Sequence, residues 1–535
     1  MGLVALAWGC TVTPPGGELG GATEQPPPPG TTGCVGSDCT ADTSGGGPGC
    51  APTDAACPVC GNGACDPGET CSDCPADCGP CDGLGCGNAQ CEAQESCEDC
   101  PADCGECPPD TCGDGTCEDT DHCSLCPQDC GACEGEAEAA TRGPYLQNGS
   151  AEAVTVRWRT DEPTDSVVVY GLEANALQWA ATDSEPTTEH EVRLTGLSPR
   201  TVYYYAFGET GASLNGQDTD HTFITALSPG QPGPVRIWAI GDSGDVGQEQ
   251  DDVYQAYRDL TGDQRTDVWL MLGDNAYSDG TDDEYQEAVF EAYPALLRDT
   301  MLWSTVGNHE RVDEGGAYFS IFTLPTEAEA GGLASGTESY YSFDYGNVHF
   351  VCLDSDQHDE SEEMATWLTN DLESYSGTWI IAFWHHPPYT KGSHDSDNEG
   401  TLAAMREGFV PILEDHGVDL VLTGHSHSYE RSYLLNGHYG ESDTLDSAHL
   451  VDEGDGREEG DGAYDKGTAP EGAVYIVAGS SSKTSSMDGI HPAMHVSLEE
   501  LGSMVIDVDG TRLDARFLDD QGEVRDSFTM LKEAL

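Results

Sequence analysis

Basic side chains are scarce in this sequence. The 535 residues include 20 Lys and Arg against 98 Asp and Glu, a formal net charge of −78, which excludes attraction to nucleic acid or anionic lipid by bulk charge. The same balance fits a strongly hydrated surface, a salty environment or calcium binding, and the sequence does not choose among these. Long apolar runs are missing too: after the N-terminus no segment approaches the ~18 apolar residues of a membrane span. The apolar fraction of 37% is low for a densely packed chain, so part of the length is expected to be linker or disulfide-held. The length itself exceeds one ordinary core and predicts two or more domains. Cysteine all but disappears after Cys133, since 23 of the 24 lie at or before it and only Cys352 follows.

An oxidising compartment suits that cysteine-rich first part. Residues 1–10, MGLVALAWGC, resemble the end of a lipoprotein signal with Cys10 as the lipidated residue, although a basic start is lacking and the apolar core is short. The expectation is an exported protein, extracellular or at the cell surface, soluble or tethered by lipid at Cys10. Residues 11–59 are rich in Pro, Gly, Ser and Thr and read as a spacer. Over 60–133 a unit of six cysteines recurs every 26 residues, from Cys60, Cys86 and Cys112. Few apolar residues and an even cysteine number predict three disulfides per unit in place of a core. Zinc is the rival reading, because CxxC pairs recur. The units resemble the cysteine-rich repeats of exported myxobacterial proteins, which implies a stalk or a module that binds an unknown surface partner.

From 142 to 228 short alternating runs appear, at 153–158, 166–170 and 202–205, the period of half-buried strands in a β-sandwich. The stretch LTGLSPRTVYYYAF resembles the late strands of a fibronectin type III domain, and its lack of clustered titratable groups predicts a supporting role. From 235 to 532 apolar strand-like runs alternate with amphipathic stretches such as EYQEAVFEAYPALLRD and MREGFVPILEDHG. This is the pattern of a layered α/β domain. The fold class expected for the whole is therefore multi-domain α/β: disulfide-rich repeats, a β-sandwich, then a layered α/β domain of two packed sheets flanked by helices. Ligands in layered α/β folds collect beyond the carboxyl ends of strands.

Five of those ends carry polar residues of one kind: GDSG from Gly241, GDNAY from Gly273, GNHE from Gly307, HHPP from His385 and GHSHSYER from Gly424. In an extended backbone His425 and His427 project to the same side, so two imidazoles can face one pocket, which suggests a metal. Glycine stands directly before the polar residue in four of the five, where backbone must approach closely or take an unusual conformation.

This order resembles the binuclear metallophosphoesterases of the calcineurin-like superfamily, and more narrowly the purple acid phosphatases, over about residues 142–530. Most members of the superfamily carry a histidine two residues after the first aspartate; here that position is Gly244, and Tyr277 stands where the narrower family has its metal-binding tyrosine. The resemblance implies that Asp242, Tyr277 and His427 hold ferric iron, that Asn308, His385 and His425 hold a divalent zinc, iron or manganese, and that Asp274 bridges the two. Hard phenolate and carboxylate oxygens suit a highly charged cation. The activity implied is hydrolysis of phosphate monoesters, including at acid pH. Local Lys or Arg is expected to help attract a small anionic phosphate ester to so acidic a protein.

The resemblance also places His309 and His394 on the substrate as catalytic residues, with Asp395 standing where plant-type members have a second histidine. His386, beside ligand His385, is expected to pack or hydrogen-bond nearby. The acidic stretch from Glu441 to Asp465 reads as a solvated loop, and Cys352 as a buried core thiol. Two other functions remain open at this point: a phosphodiesterase on the same metals, and a non-catalytic adhesion or display protein.

Overall fold

The computed structural model describes residues 117, 121–262, 264–312, 316–356, 361–467 and 471–533. The Cys10 segment, the spacer, the first two repeats and the start of the third lie outside the described residues. In the third repeat Cys117 pairs with Cys130 and Cys123 with Cys133, and Cys126 is disulfide-bonded as well. These five thiols are staples, not zinc ligands. The chain then runs along the next domain, with the Glu134 and Ala137 amides donating to the Gly211 and Ser213 carbonyls at 2.7 and 2.9 Å.

Five strands follow: β1 (Arg142–Gln147), β2 (Ala153–Gly171), β3 (Trp179–Thr195), β4 (Val202–Gly208) and β5 (Thr222–Ile224). The runs read as separate strands at 153–158 and 166–170 are one strand, β2. Its polar middle, Asp161 to Pro163, is exposed and shifts register against β3 without turning the chain. A bulge of this kind lets a strand bend yet stay paired.

The remaining strands are β6 (Pro234–Ile240), β7 (Val268–Met271), β8 (Met301–Ser304), β9 (Tyr341–Tyr345), β10 (Val348–Cys352), β11 (Trp379–Phe383), β12 (Leu420–Thr423), β13 (Tyr429–Ser432), β14 (Leu434–Leu435), β15 (Leu450–Asp452), β16 (Tyr464–Asp465), β17 (Val474–Ala478), β18 (Met494–Leu498), β19 (Gly502–Asp509), β20 (Arg512–Asp519) and β21 (Val524–Leu531). Among the described residues they build a seven-stranded sheet ordered β18-β13-β17-β12-β11-β10-β9, a small β14-β15 pair, and a twelve-stranded sheet ordered β16-β21-β20-β19-β6-β7-β8-β1-β2-β4-β5, with β3 on β2. The parallel runs β6-β7-β8 and β10-β11-β12-β17 bring the ends of their strands to one side.

Side-chain alternation assigns each face of the seven-stranded sheet. Val348, Phe350, Cys352, Ile381 and Phe383 enter the core shared with β6, β7 and β8, whereas Val351, Ile380, Ala382 and Trp384 face the helices Ser361–Ser374 and Gly400–Gly408. On the far side of the other sheet the helix Gln248–Thr261 stacks Tyr257 on Trp238, ring centroids 4.5 Å apart. Burial of whole apolar residues on this scale, each worth ~1.5–3 kcal/mol, is what fixes the layers. Cys352 is buried and free, as expected.

Three readings change. EYQEAVFEAYPALLRD is not one helix but three short pieces, Asp282–Tyr285, Gln286–Phe290 and Pro294–Leu297. MREGFVPILEDHG breaks between Gly408 and Val410. In both, a proline (Pro294, Pro411) lacks the N–H that a continuing helix needs. The acidic stretch is also more than a solvated loop: Tyr464 is buried, and β16 pairs with β21 at the sheet edge. Arg431, buried on Asp526, donates to the Tyr464 hydroxyl at 3.0 Å, which anchors the stretch.

The N-terminal strands brace the loops at the ends of β7 and β8. β1 meets β8 through Leu146 and Met301, joining the two domains in one sheet. Arg142 and Arg159 both pair with Asp282, at 2.9 and 2.6 Å, five residues after Tyr277. With Glu284 accepting from the Ser278 and Asp279 amides and closing a capping box with Thr281, the segment that follows Tyr277 is held in place.

Candidate metal centre

Backbone geometry explains the glycines. Asp242, Asp274 and His425 all have positive φ (53°, 51° and 67°), a conformation uncommon for residues with a Cβ. Each follows a glycine at a crowded turn. A Cβ on Gly424 would lie 2.5 Å from Asp242 Oδ2, and one on Gly307 would lie 2.3 Å from the Asp274 amide nitrogen. Glu310, buried after the GNH of that motif, accepts from the Asp274, Asn275 and Gly307 amides at 2.9, 2.8 and 2.7 Å. It thereby ties two ligand loops together.

All seven expected ligands meet at this one place. Tyr277 Oη lies 3.1 Å from both Asp242 Oδ1 and Asp274 Oδ2, and His427 Nε2 lies 3.5 Å from Asp242 Oδ1. On the other side of Asp274, His385 Nε2 is 3.4 Å from Oδ2, 3.2 Å from Asn308 Oδ1 and 3.2 Å from His425 Nδ1. Ligand atoms sharing one cation at ~2.0–2.3 Å stand roughly 3.0–3.5 Å apart, so the donors fit two cations with Asp274 common to both. The outer nitrogens agree. His385 Nδ1 is 2.9 Å from the Leu272 carbonyl and His427 Nδ1 is 3.1 Å from Ser485 Oγ, which turns each Nε2 inward.

Electrostatics point the same way. Burial, followed by the Asp242 and Asp274 charges, pushes the Tyr277 phenol far above its ordinary value; its oxygen becomes an anion only with a cation beside it. Burial pushes the His425 imidazole down to about 4, so it is neutral and free to coordinate. Burial opposes the Asp274 charge, yet His385 and His309 hold its carboxyl well below the usual range. The missing histidine of the first motif has a steric reason: a Cβ on Gly244 would lie 2.4 Å from the Ala276 nitrogen, so the Tyr277 loop fills that space.

His309 stands beside the cluster with its ring 4.5 Å from that of Tyr277, Nε2 3.8 Å from Asp274 Oδ2, and Nδ1 2.5 Å from the Ser278 carbonyl. His394 lies against His425, ring centroids 3.8 Å apart and planes tilted by 33°. His386 is buried and bonded through Nδ1 to Ser355 Oγ at 2.8 Å, with its ring 4.3 Å from that of His425, so that it borders the donor cluster.

Two neighbours escaped the sequence reading. Glu399 lies 3.0 Å from His394 Nδ1 and 3.6 Å from His425 Nε2; its position five residues after His394, in GSHDSDNEG, was the available signal. Lys483 places Nζ 3.2 Å from the Tyr277 ring centroid. It lies five residues beyond β17, after Gly479, in a serine run that carries no local signal.

The sequence profile of calcineurin-like phosphoesterases matches residues 235–429, and that of the purple acid phosphatase N-terminal domain matches 143–225. Purple acid phosphatase 15 of Arabidopsis thaliana is 30% identical over 276 residues, covering 45% of this chain and 49% of that protein. Purple acid phosphatase 18 of the same plant is 27% identical over 345 residues, covering 60% and 72%. The matched part thus spans from about half to about three quarters of those relatives. A purple acid phosphatase from yellow lupin (Lupinus luteus) seeds shares the fold, with a TM-score of 0.58 at 18% identity over 74% of this chain and 75% of that one. The structure of PhoD gives 0.53 at 17% identity, covering 74% and 92%. Over residues 143–225 and 235–429 the chain is thus similar to purple acid phosphatases and to calcineurin-like phosphoesterases.

Proposed function

We propose that this protein hydrolyses phosphate monoesters at a binuclear metal centre, with ferric iron held by Asp242, Tyr277 and His427, a divalent zinc, iron or manganese held by Asn308, His385 and His425, and Asp274 shared. The observation that carries this reading is the double cluster of inward donors joined at Asp274. Two such cations polarise a phosphoryl oxygen and activate water for in-line attack. The chain's own residues set the rest. Glu310 holds the Asp274 and Asn308 loops in register, so the two donor sets keep their spacing. His309 stands at the open side, its side chain about one-third exposed, where an imidazole can protonate the departing ester oxygen. His394, turned by Glu399, is the second substrate-facing imidazole.

The cysteine-rich units and the N-terminal signal-like segment support an exported or surface-bound enzyme, with the repeats as a stalk or partner-binding module ahead of a bracing domain (142–228) and a catalytic domain (235–532). No helix among the described residues is long and apolar enough to cross a membrane. The test is turnover of 4-nitrophenyl phosphate against bis(4-nitrophenyl) phosphate by metal-loaded protein. Monoester preference is expected. A preference for the diester makes the protein a phosphodiesterase, and no turnover of either ester overturns the enzymatic reading.

A further inference from the structure

The chain contains four lysines. Lys391 pairs with Asp395 and Asp397, and Lys466 and Lys532 both pair with Asp419. Among the described residues Lys483 alone of the four pairs with no carboxylate; its ammonium rests on the face of the Tyr277 ring. In a protein with 98 acidic side chains, a lysine that meets a ring and no carboxylate is held there by its surroundings. The backbone leading to it is pinned to the first ligand loop. Ser481 Oγ accepts from the Gly241 amide at 3.2 Å, Ser482 Oγ accepts from the Asp245 amide at 3.2 Å, and the Ser482 hydroxyl donates to the Asp242 carbonyl. Lys483 and His309 both border the ring whose hydroxyl reaches Asp242 and Asp274.

The other side chains of that cluster are carboxylates, imidazoles, the Tyr277 phenol and the Asn308 amide, so Lys483 is its one lysine among the described residues. A phosphate ester must approach through the field of a strongly acidic protein, and the charge of a ferric and a divalent cation would be partly offset by the three anionic ligands Asp242, Asp274 and Tyr277. A fixed ammonium beside the centre acts on the substrate in proportion to its charge, and so favours a monoester dianion over a diester monoanion.

We infer that Lys483 is a specificity-determining residue: its ammonium receives the phosphoryl group of the substrate next to the metal pair and selects for the doubly charged monoester. The inference rests on the phosphomonoesterase reading above. Its test uses the full, metal-loaded chain as wild type, Lys483→Met and Lys483→Arg. The measurements are metal content, the inhibition constant of inorganic phosphate, and KM and kcat on the mono- and bis-nitrophenyl esters. Lys483→Met should keep both metals and raise the monoester KM and the phosphate inhibition constant about ten-fold, the scale of a hydrogen bond to a charged group. The diester KM should move much less, and Lys483→Arg should restore most of the loss. Equal change for both esters, no change, or loss of a metal overturns the role given to Lys483 while wild-type monoester turnover keeps the site reading intact. A wild type that binds no metal or turns over no monoester overturns the site reading first.

Discussion

His349 links the sheet that carries His385 to the helix behind it, and its charge should make the stability of that layer depend on pH. The imidazole lies in β10, with Nδ1 2.8 Å from Asp344 Oδ1 and Nε2 2.8 Å from Asp371 Oδ2; Asp371 belongs to the helix Ser361–Ser374. Burial opposes its charge, but the two carboxylates outweigh burial and raise its pKa from 6.5 to about 9. A rise of that size corresponds to about 3 kcal/mol of folding stability. Because the folded value is the higher one, this contribution is complete below pH 6.5 and is lost as the pH climbs through 9. His349→Gln keeps a hydrogen-bonding side chain but never carries the charge. Urea midpoints of metal-loaded wild type and variant, followed by tryptophan fluorescence, should give a penalty of about 3 kcal/mol at pH 6 that falls below about 1 kcal/mol at pH 10. A penalty that stays constant, or grows with pH, refutes the argument and leaves His349 a neutral hydrogen-bonding residue.

Asn308 and His309 are neighbours with different tasks. Asn308→Ala should lose the divalent metal and nearly all turnover, whereas His309→Ala should keep both metals and lose roughly 10²-fold in kcat, the usual scale for a positioned acid. The His309→Ala loss should be smaller for a nitrophenyl ester than for an alkyl phosphate, whose leaving oxygen needs the proton; equal losses would assign His309 to phosphate binding. Glu399→Gln should weaken divalent-metal affinity about 10–100-fold through misorientation of His425, read by metal titration, with Glu399→Asp recovering part of it; unaltered affinity would leave Glu399 acting on His394 alone.

Much of the donor cluster was legible in the sequence because each proposed ligand sits within a few residues of the end of an apolar strand, so a short local pattern carries it. GDNAY gives both Asp274 and Tyr277, and GHSHSYER gives His425 and His427. Contacts that depend on distant segments were not legible. Nothing near Leu146 announces its pairing with Met301, which fuses two domains into one sheet. The role of Glu310 could not be read from GNHE, because the amides it gathers belong partly to another loop. Lys483 lies in a serine run, and only the folded chain brings it to Tyr277. The helix breaks at Pro294 and Pro411 were visible locally, yet the amphipathic period around them masked the missing N–H.

The central claim is that two cations share Asp274 and that one of them takes Tyr277 as a phenolate. Metal analysis combined with the visible absorption spectrum of wild type and Tyr277→Phe tests it most directly. Two metal ions per chain, iron among them, are expected, with a purple or pink phenolate-to-metal band that Tyr277→Phe abolishes. A protein that is fully loaded with iron, active on monoesters and without that band would contradict the assignment of Tyr277.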